Sequence, residues 1–450
     1  MRRWDAQQLA RAADARLARE AVTATEGPTH ATIDSRAGGP GSLFVGLPGE
    51  HVDGGSFAGA ALATGAWGVL IAPAHVDATL AAAPGGVVIV ADDPLAALQR
   101  LATCWRHELG AKVIGVTGST GKTSTKDLLL SLLSPRRLTV ASQANFNTEI
   151  GLPLQILGAP SGTEVLVLEM GMRGPGQIAE LARIAQPDVG VIVSIGPVHL
   201  ELLGSIEAIA AAKAELIAAL APGATAVVPA GEALLGPHLR PELETVSFGS
   251  GGDVRFISQS ATQVEIDAQG ERIAIELNFS AAHLRQDLLA AVAAARAVGV
   301  TPGGRLELEL SPGRGQRRVL AGGITLLDDA YNANPMSMRA ALDTLGGTAT
   351  AGRRIAVLGD MLELGPRTAA YHREIGEYAG AVADVLVTVG PLAAAMAEEF
   401  PAEHHVAADA QAAAELLPGL LQSGDVVLVK ASNGVGLSRV CETLAAVTAA

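Results

Sequence analysis

The residues of this chain best suited to chemistry begin with Gly118-Ser119-Thr120-Gly121-Lys122-Thr123-Ser124. Two glycines let a backbone approach an anion closely, Lys122 adds a point charge, and the amides opening a following helix would point at the same place. That combination suits a nucleotide triphosphate, with the Thr123 hydroxyl offered to magnesium. The strict phosphate-loop pattern has a glycine where this chain has Val116, so the stretch is a variant, T-G-x-x-G-K-[ST]. Further along, Glu169 ends the apolar run V-L-V-L-E, His199 follows in S-I-G-P-V-H-L-E, and Lys213 stands in the otherwise apolar A-I-A-A-A-K-A-E-L. A carboxylate and an imidazole at strand ends can ligate a cation, but each also reads as a cap or a satisfied core group. By itself Lys213 reads as a lysine whose stem lies along an apolar surface. Ser35-Arg36 either binds a phosphate or a uracil edge or forms a turn with a solvated arginine. Asn145, Asn147 and Glu149, in Q-A-N-F-N-T-E-I-G-L-P, are equally open to plain turn chemistry.

The elements around these residues predict an α/β fold. A β-branched run (Val113, Ile114, Val116, Thr117) and leucines at helical spacing (Leu128, Leu129, Leu132, Leu133) put the glycine loop between a buried strand and a helix. In a doubly wound sheet, ligands bind beyond the carboxyl ends of the strands, where Glu169 and His199 should also lie. Ahead of this core, a helix near Ala6 to Arg19 and short strands ending at Ile71 and Ala91 form a small unit, joined by a helix from about Pro94 to His107. Behind it, strands Glu164 to Glu169, Val189 to Ile195 and Ala224 to Val228 alternate with helices. A hairpin spans Val264 to Leu277, and an apolar helix covers Leu288 to Val298. The Pro-, Gly- and charge-rich stretch Thr301 to Arg318 reads as a hinge, and α/β alternation then restarts. The expected architecture has three domains: a small N-terminal α/β unit (1–107), a central P-loop ATPase-type parallel sheet (108–311) and a Rossmann-like C-terminal unit (312–450).

Composition narrows the function. A length of 450 residues, 49% of them apolar and 17% charged, suits a globular protein of several domains. A formal net charge of -14 argues against nucleic acid or an anionic membrane as partner, so an anionic substrate needs locally placed cations. Cys104 and Cys441 are too few and too far apart for a disulfide framework or a zinc site, which fits a reducing cytoplasm. The start M-R-R-W-D lacks an apolar signal core. The uncharged stretch Gly54 to His75 is rich in glycine and reads as a short alanine helix feeding a strand rather than a membrane span.

The order of the motifs adds more. T-G-S-T-G-K-T-S, N-F-N-T-E-I-G-L-P, E-M-G, G-P-V-H-L-E, A-K-A-E, G-R-G-Q, D-D-A-Y-N-A-N-P-M-S-M and L-G-D-M-L-E-L-G together resemble the Mur ligase family. Y-N-A-N-P and L-G-D-M-L-E-L-G look like its branch that adds D-alanyl-D-alanine. The resemblance implies ATP-driven amide formation between UDP-N-acetylmuramoyl-tripeptide and D-alanyl-D-alanine by a cytoplasmic monomer in peptidoglycan precursor synthesis. It implies Lys122 and the loop amides on the ATP phosphates, Thr123 and Glu169 on one magnesium ion, and His199 with a carbamylated Lys213 on a second. It further implies Arg314 reaching the phosphates from the third domain, Asp329, Asn332 and Asn334 lining the ATP site, and Ser35 and Arg36 on the UDP moiety. Asn145, Asn147, Lys430 and Ser432 would face substrate. Where the family commonly shows H-N-x-x-N near adenine, this chain has His283-Leu284-Arg285-Gln286-Asp287, and an ionised Asp287 accepts hydrogen bonds but cannot donate them. Asn433 stands where the family usually has the arginine of K-G-S-R. Two other readings stay open: a family member that adds a single amino acid, and a nucleotide-binding regulatory protein that has lost ligation.

Overall fold

The computed structural model describes residues 1, 3–20 and 26–447. Three sheets succeed one another along the chain. The first has five strands in the order Arg16–Arg19, Val87–Val90, Gly68–Ile71, Ser42–Val45 and His30–Thr32, parallel except for the antiparallel edge at Arg16–Arg19. The helix at the N-terminus is shorter than the sequence suggests. It closes at Ala12, capped at its start by Asp5, and Asp14 takes a left-handed φ of 52° before the chain enters the strand. R-L-A-R satisfies either period locally, and pairing with Val87–Val90 decides for strand.

The second sheet has ten strands. From one edge it runs Thr139–Ala141, Val165–Glu169, Lys112–Thr117, Val189–Ile192, Thr225–Pro229 and Glu244–Phe248, all parallel. Val254–Gln259 continues it, and the antiparallel strands Gln263–Ala268 and Glu271–Leu277 follow, with Gly304–Leu306 at the far edge. The expected hairpin is present, and two strands ahead of it had no clear sequence signal. Lys112–Thr117 lies between Val165–Glu169 and Val189–Ile192, so the chain leaves it to either side and a crevice opens at its carboxyl end.

The third sheet has six strands, with Gln316–Val319 antiparallel at one edge. Thr325–Asp328, Val426–Lys430, Arg354–Gly359, Val385–Val389 and Glu403–Ala407 follow in parallel. The stretch read as a hinge thus contributes Gly304–Leu306 to the second sheet and Gln316–Val319 to the third, leaving the residues between as the connection. Helix Pro94–Leu109 joins the first two units. It starts on Asp93, whose carboxylate accepts from the Leu95 and Ala96 amides, and ends on Gly110 at φ 63°. No helix among the described residues is long and apolar enough to cross a membrane.

Candidate active site

Helix Lys122–Leu133 begins where the strand Lys112–Thr117 ends, and Gly121 makes the turn at φ +79°. A side chain there would be strained by that φ, and its Cβ would also come within 2.5 Å of the Asp287 carboxylate. The loop is braced from the neighbouring strand: the Ser119 amide donates to Ser194 O and the Thr120 amide to Ser194 Oγ, both at 2.9 Å. The first helical bond runs from the Thr125 amide to Gly121 O, so the amides of Lys122 to Ser124 open the helix toward the crevice. Lys122 Nζ folds back onto Gly118 O at 2.8 Å. Burial lowers the Lys122 pKa, the Glu169 charge opposes that shift, and Arg314 adds to it. An incoming triphosphate would supply the negative charge this lysine lacks.

Thr123 Oγ1 donates to Glu169 Oε2 at 2.9 Å, and Asn147 Nδ2 donates to Glu169 Oε1 at 3.0 Å. Glu169 is 3% exposed, and its own amide donates to Ser142 Oγ at 3.0 Å. Asn147 thereby fixes the plane of this carboxylate, while Asn145 offers its carbonyl to the Asn147 amide at 2.7 Å. A hydroxyl and a carboxylate side by side form a hard-oxygen pair. Among the described residues no three His, Cys, Asp or Glu side chains gather into a ready cage. The hydroxyl–carboxylate pair is of the kind magnesium takes, one or two protein oxygens with the shell completed by phosphates and water.

Lys213, on helix Ile206–Ala219, is 2% exposed, and no hydrogen bond or ion pair of its ammonium appears among the described contacts. Burial, reinforced by the Lys122 charge, holds its pKa well below that of an ordinary lysine. An ammonium cannot ligate a metal, whereas a neutral amine can take up carbon dioxide and become a carboxylate. The burial of Lys213 departs from the surface-lying lysine that its sequence context alone suggests. His199 adopts a left-handed φ of 53° and bonds through Nδ1 to Glu363 of the third unit. Burial lowers its pKa, Glu363 opposes the shift, and Lys122 and Lys213 add to it, so three cation-forming groups share one crevice.

The third unit brings the remaining groups. Arg314 lies 4.1 Å over the Tyr331 ring, and its charge lowers the pKa values of both Lys122 and Lys430, in each case after burial. Lys430 Nζ donates to Asp329 Oδ2 at 2.6 Å and to Asn332 O at 2.9 Å, fixing the Y-N-A-N-P loop. Asn334 caps helix Pro335–Gly347 and also reaches Ser119 O of the phosphate loop at 3.4 Å. Ser432 accepts from the Leu362 amide at 2.9 Å. His283, whose pKa falls chiefly through burial, senses Asp329 and Lys430 from the second unit. Asp287 sits behind Gly121, and burial raises its pKa well above the usual carboxylate range. Ser35 and Arg36 lie apart in the first unit, where Arg36 is paired to Asp34 at 2.9 Å with its side chain 89% exposed. Reading the residues one by one missed Ser194, Ser142, Tyr331 and Glu363. Ser194, Tyr331 and Glu363 stood in quoted motifs, but nothing there gave them these partners.

Comparison with known proteins agrees with this layout. Three family models match: "Mur ligase family, catalytic domain" over residues 29–105, "Mur ligase middle domain" over 116–295, and "Mur ligase, glutamate ligase domain" over 313–433. The UDP-N-acetylmuramoyl-tripeptide–D-alanyl-D-alanine ligase of Bacillus subtilis is 36% identical over 417 residues, covering 89% of this chain and 90% of that protein. MurF from Acinetobacter baumannii superposes with a TM-score of 0.86 at 28% identity, covering 98% and 99% of the two chains. MurF ligase from Thermotoga maritima, solved in complex with ADP, superposes with a TM-score of 0.78 at 30% identity, covering 93% and 97%.

Proposed function

The chain belongs to the Mur ligase family, and we propose that it joins D-alanyl-D-alanine to UDP-N-acetylmuramoyl-tripeptide with hydrolysis of ATP to ADP and phosphate, in peptidoglycan precursor synthesis in the cytoplasm. The observation that carries this reading is Lys213: a buried lysine with no counter-charge among the described residues, beside Lys122 and His199 and across the crevice from Arg314. The substrate is an acid and ATP is a polyanion, so their approach needs concentrated positive charge in a site that excludes water.

Lys122 would release Gly118 O and hold the phosphates together with the amides of Lys122 to Ser124, while Arg314 meets the γ-phosphate from the third unit. Thr123 with Glu169, and His199 with a carbamylated Lys213, would hold two magnesium ions, which when bound neutralise phosphate charge and polarise the transferred group. The neutral Lys213 amine acquires the carbamate by adding to carbon dioxide: the N–C bond forms and one proton leaves the nitrogen. The terminal carboxylate of the tripeptide attacks the γ-phosphorus as the bond to ADP breaks. The amine of D-alanyl-D-alanine then attacks the acyl phosphate carbonyl, expels phosphate and loses a proton. Ser35 and Arg36 would contact the UDP moiety, and Asp329, Asn332 and Asn334 the nucleotide. Because Arg314 and Lys122 belong to different units, turnover requires the third unit to close on the second.

Phosphate release is the test, measured with both substrates and with each omitted. Release that needs both supports the reading. Release indifferent to them, or driven as well by a single amino acid as by the dipeptide, overturns it. Lys122→Ala and Lys213→Ala should each lower turnover at least about 10³-fold, roughly 4 kcal/mol of barrier. A spectrum of enzyme grown with ¹³C-bicarbonate that shows no carbamate resonance would return Lys213 to a purely structural role.

A further inference from the structure

His199 has one side-chain partner among the described contacts, and it comes from another domain. Glu363 stands in L-G-D-M-L-E-L-G, 164 residues further along the chain. His199 and Glu363 are also two of the six described non-glycine residues at positive φ, at 53° and 62°. Such backbone is strained and persists where the surroundings enforce it. Here the two strained residues are bonded to each other.

The third unit holds its side of this contact rigidly. Met361 and Leu364 are buried in the core, the Met361 amide donates to His372 Nε2 at 3.0 Å, and the Leu362 amide donates to Ser432 Oγ at 2.9 Å. Asp360 ties the same turn to the Leu392 and Ala393 amides at 3.0 and 2.7 Å. Glu363 is therefore the tip of a fixed loop. That loop docks on the second unit through its backbone as well: the Glu201 amide donates to Glu363 O at 3.3 Å, and Gly365 lies so close that a Cβ there would sit 3.3 Å from the Glu201 backbone. Arg173 Nη2 approaches the same carboxylate at 3.7 Å.

We propose that Glu363 is a positioning residue for His199, completing across the domain boundary a carboxylate–histidine–metal relay that forms only when the third unit is docked. An imidazole that donates its Nδ1 proton to a carboxylate has its tautomer and ring plane fixed, and only the Nε2 lone pair remains for a cation. Where that outer carboxylate comes from the same domain, the ligand is permanently oriented. In this chain it arrives with Arg314 and the Y-N-A-N-P loop, so the second cation site matures at the moment the nucleotide is enclosed. An open molecule would hold ATP with one cation and could not commit it to transfer. The inference rests on the proposed role of His199 as a metal ligand.

The test is Mn²⁺ binding to the full chain with β,γ-imido-ATP, read by electron paramagnetic resonance independently of turnover. The unaltered protein should take two ions. Glu363→Ala should keep the first and weaken the second about 10- to 100-fold. Glu363→Gln, which keeps an acceptor without the charge, should fall between, and His199→Ala should lose the second ion, with Glu363→Ala adding nothing in the double variant. Arg173→Ala touches the carboxylate without touching the histidine and should bind both ions normally. If Glu363→Ala binds the second ion normally while His199→Ala does not, the inference fails and the ligand reading stands. If His199→Ala also binds two ions normally, both fail. If Arg173→Ala weakens the second ion as much as Glu363→Ala, Glu363 serves docking alone and the positioning role is overturned.

Discussion

The two joints of this molecule are built on opposite principles. Between the first and second units the core is continuous: Leu9, Leu43, Leu70 and Ile89 share one cluster with Leu98, Leu101 and Trp105 of the joining helix and with Leu152, Leu166 and Leu216 of the second unit. Between the second and third units the recorded bonds are polar: Asn334 to Ser119 and His199 to Glu363, with Asp127 holding Ser311 of the connecting stretch. Leu200 crosses as an apolar side chain, packing against the core of the third unit, and Met336 of the third unit lies close over Gly196. Opening the first joint would expose close-packed apolar surface, whereas the second can exchange its bonds for water at little net cost. On the proposed mechanism, the first unit would then be a fixed shelf for one end of the substrate and the third the part that moves.

The comparison breaks most readily at Trp105. It is 1% exposed, lies edge-on to Trp4 at 5.3 Å, and donates through Nε1 to Ala159 O at 3.1 Å, so a single side chain bridges both units. Trp105→Ala should cost about 3–5 kcal/mol. In calorimetry the transition shared by the first and second units should shift down while that of the third unit stays in place. Movement of both transitions together would mean that the polar joint is as tightly coupled as the apolar one.

A smaller effect marks the third unit as a separate body. Asp425, 1% exposed, accepts from the Arg353 and Gln422 amides and from Arg353 Nη2, each at 2.9 Å. Burial raises its pKa, but the bonds from Arg353 and Gln422 outweigh that and hold it below the ordinary value. A carboxylate with a depressed folded pKa stabilises fully above its unfolded value, about 3.9, and loses that contribution as pH falls through the lower folded value. Asp425→Asn should therefore lower the third unit's transition by about 1–3 kcal/mol at neutral pH, with the gap to the unaltered protein narrowing below about pH 4. An equal shift in the transition of the first two units would deny the separation.

How much of this was legible in sequence follows from range. The phosphate loop was readable because its chemistry is packed into seven consecutive residues, and Glu169 because a charge ends an otherwise apolar strand. Lys213 was visible as an oddity, but its burial without a partner depends on helix Ile206–Ala219 being covered, which no local pattern reports. Glu363 was out of reach for the same reason: its partner is on another sheet. The edge strand Glu403–Ala407, E-H-H-V-A, gave no alternation strong enough to see, since only Ala407 is buried, and helix Ala410–Leu420 followed it unnoticed.

The smallest effect tests where the movable joint is anchored. Helix Lys122–Leu133 starts at the phosphate loop, and one turn later Asp127 accepts from the Ser311 amide at 2.9 Å and the Ser311 hydroxyl at 3.0 Å. Lys126 Nζ donates to Ser311 Oγ at 3.2 Å and pairs with Asp127 at 2.7 Å, with both charged side chains buried. Ser311 lies three residues before Arg314, so one helix carries Lys122, the lysine proposed to hold the phosphates, and the contact that precedes Arg314. Ser311→Ala removes the hydroxyl and keeps the main-chain bond, a loss of about 1 kcal/mol. ATP affinity should hardly change, because the phosphate loop is untouched. Single-turnover ligation should slow about fivefold, because Arg314 must find its place from a looser start. Unchanged single-turnover rates, with the same nucleotide-induced compaction in X-ray scattering, would move the pivot away from Ser311 to the bonds at Asn334 and Glu363.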